Sequence, residues 1–271
     1  MDRAPSLGPG AVSWRLHREV ALLAGWGRAI LLQLAHPLVA QGVAQHSAFL
    51  RESHGHVRRL RRTLESMLAL TFGSDDEARR AAARINAIHD RVHGQVAAPH
   101  GAHPAGASYS AHDPDLLAWV HATLLDSFLL TFQIFVADLT EGECDRYCAE
   151  SSRIERLLGI PADRLPRSHE ALQRYLASML ATGEISVTDT ARALAHAVLY
   201  PTLAWPARPL TALSRLLTVG LLPHAIRDAY DLPWNPRRER AFRLIARTSR
   251  RSLPFVPALL RHWPTARRAG C

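Results

Sequence analysis

Residues 115–137, DLLAWVHATLLDSFLLTFQIFVA, form the most hydrophobic predicted helix of the chain. Their apolar side chains recur at the three- and four-residue spacing of an α-helix, and almost no stretch of the chain alternates with the period of two typical of a strand. Asp113 and Pro114 supply a start signal, because proline is favoured in the first turn of a helix. The sequence therefore predicts an all-α protein that contains this helix.

Start and stop signals divide the rest of the chain into further helices. Ser74 precedes three acidic residues, and Thr140-x-x-Glu143 has the spacing of a capping box. Because no repeat of fixed period or flexible linker separates these segments, residues 1–271 are predicted to form a single globular domain. The predicted helices cover residues 12–35, 38–49, 57–72, 74–94, 115–137, 140–159, 168–181 and 188–200, with two or three more after Pro209.

The charged residues exclude several chemistries. All 33 basic residues are arginines, against 24 acidic residues, which gives a formal net charge of +9. Without lysine there is no Schiff-base lysine, lysine base or lysine-dependent phosphate loop. The three cysteines form no C-x-x-C pair, which indicates a reducing compartment, and the first residues do not resemble a secretory signal. We therefore predict a cytoplasmic protein.

Two segments bear on membranes. Residues 29–50 carry no formal charge over 22 positions, but their histidines, glutamines and Pro37 argue against a transmembrane helix. The arginine-rich segment 237–268 also holds leucines, Phe242, Phe255 and Trp263, so we predict it as the place of any peripheral membrane contact. Specific nucleic-acid binding is not predicted, because the arginines are scattered and lack interleaved aromatic residues.

Four of the fifteen histidines lie on apolar faces or close to one. His89 follows Ile85 and His121 follows Leu117 at helical spacing, His93 lies one turn after His89, and His36 ends an apolar turn. Taken singly, such a histidine is more often a hydrogen-bonded core residue than a ligand. His89 and His93 could instead bind a metal together with Asp90 or Glu52, although H-D-x-x-H is not the zinc-protease motif. The pattern leaves both interpretations open.

A second candidate is the arginine cluster at residues 58–62, which is followed by Thr63. The simple interpretation is a solvated basic face. Arg59, Arg62 and Thr63, however, share one helical face with Ser66 and Met67, and we expect this face to turn inward.

The chain resembles the oxygenase family that contains the MpaB-type enzymes and, more distantly, the latex-clearing proteins or rubber oxygenases. The resemblance covers about residues 12–180 and leaves residues 190–271 unassigned. It rests on LLQLAHPLVAQGVAQHS (31–47), R-x-x-R-T (59–63), FG (72–73), INAIHDRVHG (85–94), YSAHDPDLLAWVHATL (109–124), L-T-x-x-E (139–143) and L-G-I-P-x-x-x-L-P (158–166).

The resemblance implies a globin-like helical core that holds haem b, with one histidine as the iron ligand. His89 matches the ligand of the family's helical H-x-x-V motif, with His93 and His121 as alternatives. Arg59 and Thr63 match residues of its R-x-x-K-T motif. Arg62 stands where the family has lysine, and an always-charged arginine cannot ligate iron. The implied haem-binding residues are His89, Arg59, Arg62, His36 and His121.

The function that follows is a haem b-dependent oxygenase that uses dioxygen on a small apolar substrate, isoprenoid or lipid-like. Arg59, Arg62 and Thr63 are the predicted catalytic residues, with the arginines polarising dioxygen or pairing with haem propionates. The alternatives are a non-haem metal hydroxylase or hydrolase that uses His89 and His93, and a non-catalytic basic module that binds membranes.

Overall fold

The computed structural model describes residues 8–46, 55–96, 98–162, 164–201 and 205–269, with only the backbone given for residues 55–60 and 205. It confirms the all-α class, since the sheet within these residues is one small antiparallel pair of strands. The elements are α1 (Val12–His17), α2 (Leu23–Leu34), α3 (Pro37–His46), α4 (Gly55–Phe72), α5 (Asp75–His89), β1 (His93–Gln95), β2 (Ser108–Ser110), α6 (Pro114–Phe135), α7 (Glu141–Glu150), α8 (Ser152–Leu158), α9 (His169–Ala181), α10 (Asp189–Leu199), α11 (Arg208–Leu221), α12 (His224–Ala229), α13 (Pro236–Ser252), α14 (Ala258–Arg261) and α15 (Pro264–Ala269).

Helix α6 is the central helix of the core. The Asp113 side chain accepts hydrogen bonds from the backbone N–H groups of Asp115 and Leu116, and so fixes the predicted start of the helix. Buried aromatic residues such as Trp119 and Phe128 follow along its length. Among the described helices it is the one long and apolar enough to cross a membrane, yet 67% of its most apolar window is buried inside the protein. Its composition is therefore that of a core helix.

Helix α2 packs closely between α6 and α11 because two of its residues lack a side chain. A Cβ atom at Gly25 would lie 2.3 Å from the Thr131 Oγ1 atom of α6, and one at Gly27 would lie 2.0 Å from the Thr218 Oγ1 atom of α11. Both distances are far below van der Waals contact, so glycine is required at this crossing.

The same crossing holds a buried ion pair. The Arg28 guanidinium of α2 donates to the Leu221 carbonyl (2.9 Å), to Ser127 Oγ (2.7 Å) and to Asp126 Oδ2 (2.5 Å). Gln173 Nε2 of α9 donates to the other Asp126 oxygen at 2.7 Å. A buried charge is tolerated where its polar atoms are paired in this way, so the network joins α2, α6, α9 and α11.

The predicted continuous helix over residues 12–35 is wrong, because the chain breaks after α1. A single 3-10 turn (Val20–Leu22) separates α1 from α2, and Glu19 before it has an extended backbone. The buried Glu19 carboxylate pairs with Arg261 Nε at 2.7 Å and with His262 Nε2 at 3.2 Å. The break thus turns a carboxylate toward two basic residues at the other end of the sequence.

The uncharged segment 29–50 does not form one straight helix. Helix α2 ends at Leu34, Pro37 starts α3, and the two helical segments around this break are bent by 104°. The predicted end of the second helix at Phe49 lies outside the described residues.

Helix α5 begins as predicted but ends early. The capping box of Ser74 and Glu77 is confirmed. The helix stops at His89 rather than Gly94, because His93–Gln95 pairs with Ser108–Ser110 as β1 and β2. Residues 97–113, which no predicted helix covers, therefore contain a strand.

The remaining caps are confirmed, with one further break. Thr140 and Glu143 form the predicted capping box, but that helix divides at Ser151 into α7 and α8 before Gly159, whose φ of 71° ends it. Ser168 and Thr188 cap α9 and α10. After Pro209 the chain forms more short helices than the two or three predicted.

Candidate functional site

Helices α4 and α5 form a hairpin that brings the predicted site residues to one end. Only Gly73 and Ser74 separate the two helices, which pack side by side. At a rise of 1.5 Å per residue, Arg59 on α4 and His89 on α5 each lie about 20 Å from the turn. Both residues are therefore at the open end of the hairpin.

The arginine cluster lies only partly within the described side chains. The side chain of Arg59 is outside them, whereas Arg62 and Thr63 are solvent-exposed. The expectation that this face turns inward is thus wrong for Arg62 and Thr63. The physical reason is that the apolar residues Leu64 and Met67 face the interior, while a guanidinium keeps its hydration outside.

His89 is half-buried at the last position of α5. Its ring meets the ring of His112 edge-on, with centroids 5.7 Å apart, and its Nδ1 atom is buried without a hydrogen-bond partner. Burial, and to a smaller degree His112, lower the pKa of His89, against the opposing charge of Asp90. The imidazole is therefore neutral at neutral pH, which is the form that ligates a metal ion or haem iron.

The predicted metal pair of His89 and His93 does not have the required geometry. His93 lies in β1, after the helix has ended, so the two residues do not share a helical face. The His93 carbonyl oxygen is 3.0 Å from His46 Nε2, and Asp90 pairs with His112 at 2.7 Å. Glu52, the other carboxylate suggested for this site, lies outside the described residues. Val92 of the H-x-x-V motif also follows the end of the helix.

His121 lies in the interior, beside a cavity between α1, α4, α6, α7 and α8. The cavity has a volume of about 60 Å³, and His121 Nε2 is buried without a hydrogen-bond partner. Burial lowers the pKa of His121 to about 4. His17, whose Nε2 lies 3.1 Å from the Tyr147 hydroxyl, lines the same cavity, and burial together with the nearby His121 lowers its pKa to about 4 as well.

Sequence reasoning missed His17 and Tyr147. His17 is the last residue of α1, immediately before the unpredicted break, so no helical stripe marks it. Tyr147 is fully buried on α7, which carries few other apolar residues. The spacing of Cys144, Tyr147 and Cys148 indicates that Tyr147 is buried, but no pattern in the sequence indicates that it contacts His17.

His36 belongs to a different part of the molecule. It is buried at the junction of α2 and α3, with its ring 5.2 Å from the ring of His103 and its Nε2 atom 3.9 Å from a Glu184 carboxylate oxygen. The structure thus brings His36 together with His103 and Glu184 rather than with His89 or His121.

The described cavities are too small for a porphyrin. Besides the 60 Å³ cavity, a second one of about 20 Å³ shares His17, Met67 and Thr71 with it. Ligand sites of small molecules and cofactors usually occupy roughly 300–1,000 Å³. The interior at His121 therefore does not fit haem, whereas the half-buried neutral imidazole of His89, at an open end, has the chemistry of an iron ligand.

Comparison with known proteins identifies the class. Residues 14–251, which include the helical core and the α4–α5 hairpin, match a family described as "ER-bound oxygenase mpaB/B'/Rubber oxygenase, catalytic domain". The chain therefore belongs to this oxygenase family. The match extends past residue 180 and includes α9 to α12 and nearly all of α13.

Two relatives are found among curated proteins. An uncharacterised protein of Mycobacterium bovis and one of Mycobacterium tuberculosis are each 24% identical to this chain over 232 residues, which is 84% of the chain and 87% of the relative. No solved structure matches the chain significantly.

Proposed function

We propose that the protein is a haem b-dependent oxygenase that acts with dioxygen on a small apolar substrate, isoprenoid or lipid-like. Membership of the oxygenase family supports the reaction class. The observation that carries the haem assignment is His89, a neutral and half-buried imidazole at the same end of the α4–α5 hairpin as the R-x-x-R-T segment.

In this proposal each residue has a separate role. His89 would hold the iron of a bound haem, which would supply the redox-active metal that dioxygen chemistry needs. Arg59 and Arg62 are always charged, so they pair with propionates or donate hydrogen bonds to an oxygen species. Thr63 follows them on α4 and supplies a hydroxyl donor and acceptor.

The surroundings of His89 favour an apolar ligand. Ile88, its neighbour on α5, is 53% exposed. Contact with a porphyrin or an apolar substrate would remove this side chain from water. The site is thus proposed to lie outside the interior cavity of His121.

The C-terminal segment is proposed to make the peripheral membrane contact of a cytoplasmic protein. Phe255, Leu259 and Leu260 are each at least 66% exposed, and they follow the arginine-rich α13. Apolar side chains beside arginines suit an anionic lipid surface. Pelleting of the protein with anionic but not neutral vesicles tests this contact.

Absorption of the purified full-length protein tests the haem assignment. Protein produced with haem supplementation is expected to show a Soret band at about 400 nm, because haem with a histidine ligand absorbs there. His89→Ala should lose the band or shift it strongly. His112→Ala is the matched control, since it removes the ring that touches His89 without removing the proposed ligand.

Two outcomes would overturn the assignment. Colourless wild-type protein after haem supplementation would exclude haem binding. A Soret band that persists in His89→Ala and disappears in His121→Ala would move the iron to the interior cavity.

A further inference from the structure

A cluster of two histidines and a carboxylate lies on the side of the fold where α2 meets α3. His36 comes from the α2–α3 junction, His103 from the connection between β1 and β2, and Glu184 from the connection between α9 and α10. Within the described residues this is the group of three or more His, Cys, Asp or Glu side chains whose ligand atoms approach one another closely, all within 4.8 Å. The roles assigned above for haem binding and catalysis do not include His103 or Glu184.

The distances in the cluster suit a single metal ion. Glu184 Oε2 lies 3.1 Å from His103 Nε2 and 3.9 Å from His36 Nε2. Two donors that each stand about 2.0–2.2 Å from one ion are themselves roughly 3–4 Å apart. The three side chains therefore need little movement to share an ion.

One ring nitrogen of His103 is buried without a hydrogen-bond partner. Its Nε2 atom is buried and makes no hydrogen bond that meets the geometric limits of one, although a Glu184 oxygen is 3.1 Å away. A buried polar atom without a partner is unusual and calls for an ion, a water molecule or a ligand. A metal ion would use the nitrogen lone pair that no donor occupies.

The backbone around His103 is built to hold this position. His100 and His103 exchange two backbone hydrogen bonds across a tight turn, at 2.8 and 3.0 Å, and Gly101 in that turn has a φ of +57°. A Cβ atom at Gly101 would lie 2.8 Å from the Gly183 carbonyl oxygen, next to Glu184. Glycine thus allows the turn to rest directly against the segment that carries the carboxylate.

His36 is tied to the segment that carries Glu184. The backbone N–H of Ser186 donates to the Ala35 carbonyl at 3.0 Å, which ties the Glu184 segment to the residue before His36. His36 Nδ1 accepts a long contact of 3.3 Å from the Leu38 N–H in the first turn of α3. Ligation through Nε2 would place the ring proton on Nδ1 and exchange this weak contact for a metal bond.

The exposure of Glu184 and the charges of the three side chains also suit a divalent metal ion. The Glu184 side chain is 38% exposed, which leaves a path from solvent to the cluster. Two neutral imidazoles and one carboxylate would leave a divalent ion with a single net positive charge.

We propose that His36, His103 and Glu184 form a binding site for a divalent first-row transition-metal ion. Two histidines and one carboxylate are the ligand set of catalytic zinc sites and of mononuclear ferrous sites, and three protein ligands leave at least one position open to water. The ion would join three segments that are distant in sequence. This site is separate from the haem proposal, and either can fail without the other.

Titration of the metal-free full-length protein with Zn²⁺, Co²⁺ and, without oxygen, Fe²⁺ tests the site. Calorimetry should show one tight site per chain, and Co²⁺ should produce visible absorption bands of a low-coordinate site. His103→Ala and Glu184→Gln should each weaken the tight site at least 10-fold and abolish the cobalt bands.

His100→Ala is the matched control. It removes an imidazole from the same turn but keeps the backbone pairing with His103, so the tight site should persist. The metal should also raise the melting temperature of wild-type protein and of His100→Ala, but not of the two ligand variants. Equal zinc affinity in wild type, His103→Ala and Glu184→Gln would overturn the proposal. Absence of a tight site in folded wild-type protein would overturn it too.

Discussion

The two sides of α6 differ in whether their buried polar groups have hydrogen-bond partners. On the side facing α2, the Arg28 guanidinium reaches a carbonyl, a hydroxyl and a carboxylate. On the side facing α1 and α8, Ser13 Oγ, His121 Nε2 and Arg153 Nη1 border a cavity without a hydrogen-bond partner. The first arrangement pairs its polar groups within the protein, and the second leaves both space and unpaired donors and acceptors.

This difference distinguishes the rigid part of the fold from the part that has space for a ligand. A buried polar network with satisfied partners fixes one packing of the helices. Unsatisfied groups around a cavity are expensive unless water or a ligand joins them, so they are retained where something binds or moves. The α2 side of α6 is thus the rigid frame, and the α1 side is where the fold can accept small polar molecules.

The largest effect is expected from Arg28→Met, which should lower the free energy of unfolding by about 3–5 kcal/mol, because Asp126 is left buried without its cation. Urea denaturation of the purified protein measures the change. The double variant Arg28→Met/Asp126→Leu removes both charges and should recover part of the loss. A loss below about 1 kcal/mol in the single variant would show that the network does not hold the frame together.

A smaller effect is expected at the α2–α11 crossing. Gly27→Ala should destabilise the protein by about 1–3 kcal/mol, since its methyl group overlaps Thr218. Gly142→Ala on α7 is the control, because nothing lies within 4 Å of a Cβ there, and it should be neutral or stabilising by up to about 1 kcal/mol. Thermal melts of the two variants give the comparison, and equal melting temperatures would contradict the tight crossing.

The smallest effect at neutral pH is expected on the cavity side. His121→Leu should change the free energy of unfolding by less than about 1 kcal/mol at pH 7, because the imidazole is neutral there and its Nε2 has no bond to lose.

Acid should reveal the role of this histidine. The pKa of His121 lies at about 4 in the folded protein and at 6.5 in the unfolded chain, so the unfolded chain takes up the proton first as the pH falls. Wild-type protein should therefore lose up to about 3 kcal/mol between pH 6.5 and 4 from this group. His121→Leu should show a shallower loss, with His17 still contributing. Parallel stability profiles for wild type and variant would contradict the buried, neutral His121.

Local signals predicted much of the fold. The caps at Ser74, Thr140, Ser168 and Thr188 are formed by residues that are close in sequence. The apolar residues of α6 recur at helical spacing, which predicts a buried helix. The break at Glu19 was not predictable, because its partners Arg261 and His262 lie at the far end of the chain.

The candidate sites show the same limit. His89 stood out because helical spacing and a family motif both mark it. The early end of α5 depends on pairing with β2, which no helical pattern contains. His103 and Glu184 lie in connections without periodicity, so only the folded chain brings them to His36.

The pairing of the buried Glu19 with Arg261 and His262 also affects the order in which the protein folds during synthesis. Arg261 lies 242 residues after Glu19 and therefore leaves the ribosome much later, and the Trp263 N–H donates to the Arg18 carbonyl beside them. Until then, the Glu19 carboxylate lacks two of its three basic partners, and only Arg18 is near it. We expect the N-terminal part to stay loosely packed until α14 and the residues after it have been translated, and to reach its final arrangement only then.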